Sequence, residues 1–234
     1  MFMLLRWILF AVLVFTGVSG RAQENVNTLI KNVSAKIDKV DNYEAGGKMK
    51  TNVTFLIVPE STVRIYFKKP NKLKIRNEKG ISFVPRGAIS INLNNIINGN
   101  RYTALDAGTD KIGKTVVRVV KLLPEDDNAD VVLSTVYIDE ANQVIRKAKT
   151  TTRENGSYQL EMTYGKYITY GLPDKIIFTF NTKDYKLPKG VTFDFDDGTK
   201  VNKTTPESLK KNQGIAEITF DSYIINKGVS DAVF

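Results

Sequence analysis

The sequence predicts an α+β fold in which one helix precedes an incomplete, unclosed antiparallel β-barrel of about eleven strands. Three observations lead there. Apolar residues near the amino terminus recur at three- and four-residue steps, and most of the remaining chain alternates apolar with polar at every second residue. Turn-forming clusters then cut that alternation into more strands than an open twisted sheet carries without curling.

Ahead of the helix, Met1 to Arg6 is short and basic, Trp7 to Phe15 is apolar, and Thr16 to Ala22 is a small-residue exit. That order reads as a secretory leader, so residues 1–22 are expected to be a signal peptide and 23–234 a single domain. The apolar run falls short of the roughly 20 residues that span a bilayer, with an uncleaved anchor as the alternative reading. There is no Cys for a disulfide or a lipid attachment, which suits a periplasmic location.

The helix is read over Glu24 to Val40, where Val26, Leu29, Ile30, Val33, Ile37 and Val40 share a face. Met49, Thr51, Val53, Phe55 and Ile57 then alternate with Lys48, Lys50, Asn52 and Thr54 as one strand that stops at a Pro59-Glu60 turn. The stretch Ser61 to Arg76 alternates most strictly: Val63, Ile65, Phe67, Leu73 and Ile75 face one way, and Arg64, Tyr66, Lys68, Lys72, Lys74 and Arg76 the other, across a Pro70-Asn71 turn. One face is apolar and the other basic. Gly46-Gly47, at the strand start, is expected to mark a bulge or a close backbone approach.

Pro85 to Asn100 interrupts the meander. Ile89, Leu93, Ile96 and Ile97 have helical spacing, whereas Ile89, Ile91 and Leu93 also alternate as a strand would. Strands resume at Arg101 to Leu105, Thr115 to Leu123, Val131 to Ile138, Val144 to Thr152, Tyr158 to Thr169, Lys175 to Asn181, Val191 to Phe195 and Ile215 to Ile225. Their breaks are Ala107-Gly108-Thr109, Pro124 to Asn128, Asp139 to Asn142 and Glu154-Asn155-Gly156, with a polar insertion from Asp196 to Gly214.

The composition argues against an enzyme. Without His or Cys there is no histidine acid–base chemistry, no serine triad, no thiol nucleophile and little basis for zinc, so no metal or cofactor is expected. Asp194-Phe-Asp196-Asp197-Gly198 begins like a calcium loop but lacks its spacing and its closing Glu, and reads as an Asp-Gly turn. Aromatics alternating with basic residues form a sheet core on an exported chain, so no nucleic-acid partner is expected. The formal charge of +9, about +7 without Arg6 and Arg21, suits contact with phospholipid headgroups or anionic glycolipids, or acts only as a solubility device.

Taken together, Leu29 to Gly47 and Arg64 to Ile75 resemble the amino-terminal half of the LolA family of periplasmic lipoprotein carriers. The shared pattern is an amphipathic helix ending in Ile37-Asp38-Lys39-Val40, an aromatic at Tyr43, a long strand, and a strand closing on Phe67-Lys68-Lys69-Pro70. Gly113 to Pro124, Val136 to Asp139, Asn155-Gly156, and Ile218 through Tyr223 and Asn226 to Gly228 and Phe234 continue the likeness along the chain.

The resemblance implies a LolA/LolB-like half-barrel with a helical lid, a monomer that binds the acyl chains of lipoproteins or other lipids. Such a carrier ferries them toward the outer membrane between an inner-membrane release complex and an outer-membrane acceptor. On this chain the expected lining is Met49, Val53, Phe55, Ile65, Phe67, Leu73 and Leu122, under a lid of Ile89, Leu93, Ile96 and Ile97. The same side chains also fit an ordinary closed core. Where the carriers place an arginine that latches the lid, this sequence has Lys69, which keeps the charge without the planar fork. An envelope sensor using the same fold is the second reading.

Overall fold

A computed structural model describes residues 25–53, 56–70, 72–79, 102–153, 156–181 and 213–234. Helix α1 (Val26–Ile37) opens on Asn25, whose side-chain oxygen accepts from the Asn27 amide at 2.9 Å and so satisfies one of the unpaired donors of the first turn. It ends at Asp38, before the predicted Val40, and Val40 is buried in the link to the sheet. Val26, Leu29, Ile30 and Val33 are its buried stripe, each removing roughly 1.5–3 kcal/mol of apolar surface cost from water.

Ten strands are described: β1 (Asn42–Val53), β2 (Leu56–Lys68), β3 (Lys72–Lys79), β4 (Tyr102–Ile112), β5 (Thr115–Pro124), β6 (Val131–Asp139), β7 (Val144–Thr152), β8 (Ser157–Thr163), β9 (Lys175–Asn181) and β10 (Gln213–Ile225). They form one antiparallel sheet in the order β3-β2-β1-β10-β9-β8-β7-β6-β5-β4, open between the edge strands β3 and β4. The pairing of β1 with β10 brings the two ends of the chain into mid-sheet, and residues 80–101 join one edge strand to the other. The expected strand at Val191 to Phe195 and the residues Ile89, Leu93, Ile96 and Ile97 lie outside the described residues.

Several boundaries differ from the sequence reading. The predicted strand ending at Pro59-Glu60 is two strands: Val53 pairs with Leu56, and β2 runs on through Pro59. Pro59 is tolerated because the register slips there; Met49 pairs with Ser61 and Thr51 with Val58, so Pro59 and Glu60 together oppose Lys50. The predicted break at Ala107-Gly108-Thr109 is a bulge inside β4, where Gly108 has φ +83° and its amide donates to Asp106 Oδ1 at 2.9 Å. The chain reverses instead at Gly113-Lys114, between the paired Ile112 and Thr115, with Gly113 at φ +59°. β8 stops at Thr163, and a short 3-10 turn, Ile168–Tyr170, replaces the rest of the predicted strand.

Gly46-Gly47 lies inside β1 rather than at its start, but the expected bulge and close approach are both there. The register with β10 shifts between the two glycines, and a Cβ on Gly47 would stand 2.4 Å from the Thr219 carbonyl oxygen. Because neighbouring strands run in opposite directions, the α1–β1 link, the β2–β3, β4–β5 and β6–β7 turns, the β8–β9 link and the residues after β10 share one rim. Asn226 ties that rim together. Its Oδ1 accepts from the Asp41 and Asn42 amides at 2.8 and 3.3 Å, and its Nδ2 donates to the Lys39 carbonyl at 2.8 Å.

Candidate functional site

The inner face of the sheet, the one that α1 covers, carries two apolar clusters. The first joins the α1 stripe to Val120, Leu122, Val136, Ile138, Ile145 and Leu160 and to their neighbours on β8, β9 and β10. The second holds Ala45 and Met49 of β1, Val63, Ile65 and Phe67 of β2, and Ile218 and Tyr223 of β10, joined from the rim by Val40 and Leu172. Ala216 of the first cluster and Ile218 of the second are two apart on β10, so both clusters lie on one face. No residue of α1 belongs to the second cluster.

Four of the predicted lining residues meet here. Met49, Ile65 and Phe67 are buried, Leu73 is partly buried against them, and their register is direct, Phe67 opposite Leu73 and Ile65 opposite Ile75. Leu122 is not with them: it lies in the first cluster with the α1 stripe, a core residue below the helix. Phe55 and the side chain of Val53 are outside the described residues. The expected lining did not include Tyr43, Tyr167, Phe220 and Tyr223, which border or complete the second cluster. Tyr43 stacks on Phe67 with ring centroids 5.3 Å apart, and Tyr223 packs edge-on to Tyr43 and Tyr167 at 5.4 and 4.9 Å. The alternation of Ala216, Ile218 and Phe220 on β10 was the signal available for this wall.

Among the described residues, the polar groups of this face are few. The Tyr223 hydroxyl donates to the Pro173 carbonyl at 2.8 Å, and burial pushes the Tyr43 and Tyr223 hydroxyls far above their ordinary range, so both stay neutral. Ser61, 1% exposed and opposite Met49, has a hydroxyl with no hydrogen-bond partner among the described residues. Arg118 shares the parity of Val120 and Leu122 and is only 2% exposed, with its guanidinium 3.1 Å from Glu140 and 3.6 Å from Asp106. That ion pair sits at the β4–β5 side of the face, away from the second cluster.

Lys69, the expected latch, reaches the link after α1. Its ammonium donates to the Asp38 carbonyl at 2.6 Å and to Asp41 Oδ1 at 3.1 Å, so it clips the β2–β3 turn to the end of the helix. The basic outer face of β2 and β3 is as predicted in direction, Arg64 and Lys68 standing opposite Arg76 and Lys72. It is not bare: Arg64 is paired with Glu44 and, at 2.6 Å, with Glu78.

No known family profile matches the sequence, and no curated protein matches it. Solved structures do. A LolA superfamily protein from Nitrosomonas europaea matches with a TM-score of 0.55 at 10% identity, over 91% of this chain and 98% of that one. A DUF1329 family protein from Desulfovibrio piger matches at 0.56 and 11%, over 91% and 98%. A domain described as an outer membrane lipoprotein-sorting protein, from Vibrio parahaemolyticus, matches at 0.54 and 11%, over 89% and 96%. These likenesses define the class as an open antiparallel half-barrel with a helix against its inner face. The chain has the LolA-like fold, and at such low identity the likeness speaks for the fold alone.

Proposed function

We propose that this protein is an exported periplasmic carrier that shields the acyl chains of lipoproteins or lipids on its inner face and moves them toward the outer membrane. The observation that carries the reading is the second apolar cluster, a wall of Met49, Ile65, Phe67 and Leu73 on the face of a half-barrel that α1 leaves to other cover. An acyl chain held in a membrane loses roughly 0.8 kcal/mol per methylene on entering water, on the order of 10 kcal/mol for a long chain, so a carrier has to supply comparable apolar surface. The Ser61 hydroxyl on the same face, without a partner among the described residues, suits an ester carbonyl at the head of such a chain.

The leader at residues 1–22, the absence of catalysis, and the cover formed by Ile89, Leu93, Ile96 and Ile97 belong to the same proposal. Leu93→Asp tests it. A carboxylate buried unpaired against an acyl chain costs several kcal/mol, so the variant should melt within a few degrees of the parent yet fail to take up a fluorescent fatty acid. Uptake at the parent's level by the folded variant would remove the cover from the proposal, and an unfolded variant would make the segment core. Mass spectrometry of lipid that co-purifies with the parent then reads the cargo class directly.

A further inference from the structure

The outer face of the β2–β3 hairpin holds more like charge than a sheet accommodates unaided. Lys68 stands directly opposite Lys72, and Arg64 opposite Arg76, with Lys74 between them opposite Tyr66. Like charges in these positions repel across the strands. Arg64 is answered within the sheet by Glu44 and Glu78, but the other four cations are answered by the carboxy-terminal residues. Asp231 sets Oδ2 3.0 Å from the Lys68 ammonium and Oδ1 2.8 Å from that of Lys72. Arg76 donates to the Val233 carbonyl at 2.9 Å, Lys74 reaches the main-chain oxygen of Phe234 at 3.5 Å, and the Lys72 ammonium lies 5.8 Å from the centre of the Phe234 ring.

The attachment is built to come off. Val229 is buried and roots the segment, but Ser230, Asp231 and Ala232 beyond it are exposed, and the Asp231 side chain is 63% exposed. Ion pairs so open to water hold a segment only weakly and weaken further in salt. One carboxylate gripped by two lysines, an oxygen to each, is also the arrangement that the two free oxygens of a phosphodiester satisfy. Along β3 the cations recur at every second residue, about 7 Å apart, and the facing strand lies about 5 Å away, which makes a flat comb rather than a pocket. A flat comb fits a plane of phosphates. It points out from the sheet and not along its edge, so a peptide strand adding to β3 would not meet it.

We propose that Lys68, Lys72, Lys74 and Arg76 form a docking face for an anionic phospholipid bilayer, and that Asp231 with the turn Asp231–Val233 covers this face in cis until lipid phosphates displace it. The inference concerns where the protein docks, and it stands whatever the inner face carries. Co-sedimentation of the full chain at low salt tests it, with vesicles of mixed phosphatidylglycerol and phosphatidylcholine against vesicles of phosphatidylcholine alone. Asp231→Asn should bind the anionic vesicles about fivefold more tightly for each lysine it frees. Lys68→Gln with Lys72→Gln should cancel that gain. Lys74→Gln, which loses only the long contact to the Phe234 main-chain oxygen, should reduce it in a variant whose hairpin has no cause to unfold. High salt should abolish binding, and phosphatidylcholine alone should bind all variants weakly. The proposal is overturned if Asp231→Asn binds no more tightly than the parent, if its gain survives loss of the lysines, or if neutral vesicles bind as well.

Discussion

Asp139 ends β6 with a side chain only 3% exposed, and it is ionised there because four donors surround it. Burial alone would push its carboxyl up; hydrogen bonds from the Asn142 side chain and amide, at 2.9 and 3.1 Å, and from Arg146, at 2.9 and 3.2 Å, outweigh it and hold the carboxyl below its ordinary 3.8. Arg146 in turn lies 5.5 Å over the Tyr164 ring, and Lys36 of α1 donates to the Asn142 carbonyl, so the turn is bound to the end of the helix. A carboxyl depressed by folding adds stability above its unfolded pKa and loses it as pH falls through the folded value. Asp139→Asn should therefore cost about 2 kcal/mol near neutrality and shrink the gap from the parent as pH drops from 5 toward 2. Urea melts at stepped pH read this directly, and two parallel stability curves would mean that Asp139 titrates as it does in the unfolded chain. The turn itself was readable from Asp139 to Asn142; the burial of its carboxylate was not, because residue type argues for solvent at such a position. Arg118 was hidden in the same way, betrayed only by sharing the parity of Val120 and Leu122.

Among the elements, those preceded by a chemical stop were readable. β7 and β9 occupy the predicted spans, and β5 runs one residue past its prediction, because turn-forming residues precede each: Gly113 before β5, Asn142 before β7 and Pro173-Asp174 before β9. The β1–β2 hairpin was missed for the opposite reason. In the sequence Val53, Phe55 and Ile57 keep alternating past the paired Val53 and Leu56, and Thr and Phe, the residue types at 54 and 55, favour strands rather than turns. Ala107-Gly108 misled because a glycine at positive φ serves a bulge as well as a turn. Gly47 is the glycine on which an element depends. A Cβ there would meet main-chain atoms of Thr219 and Phe220, and neither strand can move without breaking the β1–β10 pairing that joins the two ends of the chain. Gly47→Ala should cost about 1–3 kcal/mol or more, whereas Gly113→Ala, in open space at φ +59°, should cost less and leave the sheet intact. Amide exchange resolves the two. Equal protection of β1 and β10 amides in both variants would show that the strands absorb the extra methyl.

For the molecule as a whole, the curled open sheet was implied by counting strands, while its order was not, since nothing local announces that the first strand pairs with the last. That pairing divides the inner face into the half under α1 and the half built by β1, β2 and β10, and under the proposed function the two halves would do different work. Leu29 has no exposed surface and belongs to the α1 stripe, so Leu29→Ala should lower stability by about 2–5 kcal/mol and leave the affinity for a fatty acid unchanged. Ile65 belongs to the proposed cargo wall. Ile65→Ala removes roughly 2 kcal/mol of apolar contact with a bound chain, which is about a thirtyfold loss of affinity. Because a ligand raises the melting temperature in proportion to its binding free energy, the two effects separate in one experiment. With a fixed excess of fatty acid, Leu29→Ala should start from a lower melting temperature and show the parent's full rise, while Ile65→Ala should show a much smaller rise whatever its starting point. If both variants keep the full rise, the second cluster is ordinary core. If Leu29→Ala is the one that loses it, the chain lies beneath α1, and the helix rather than the β1–β2 wall is what the cargo must displace.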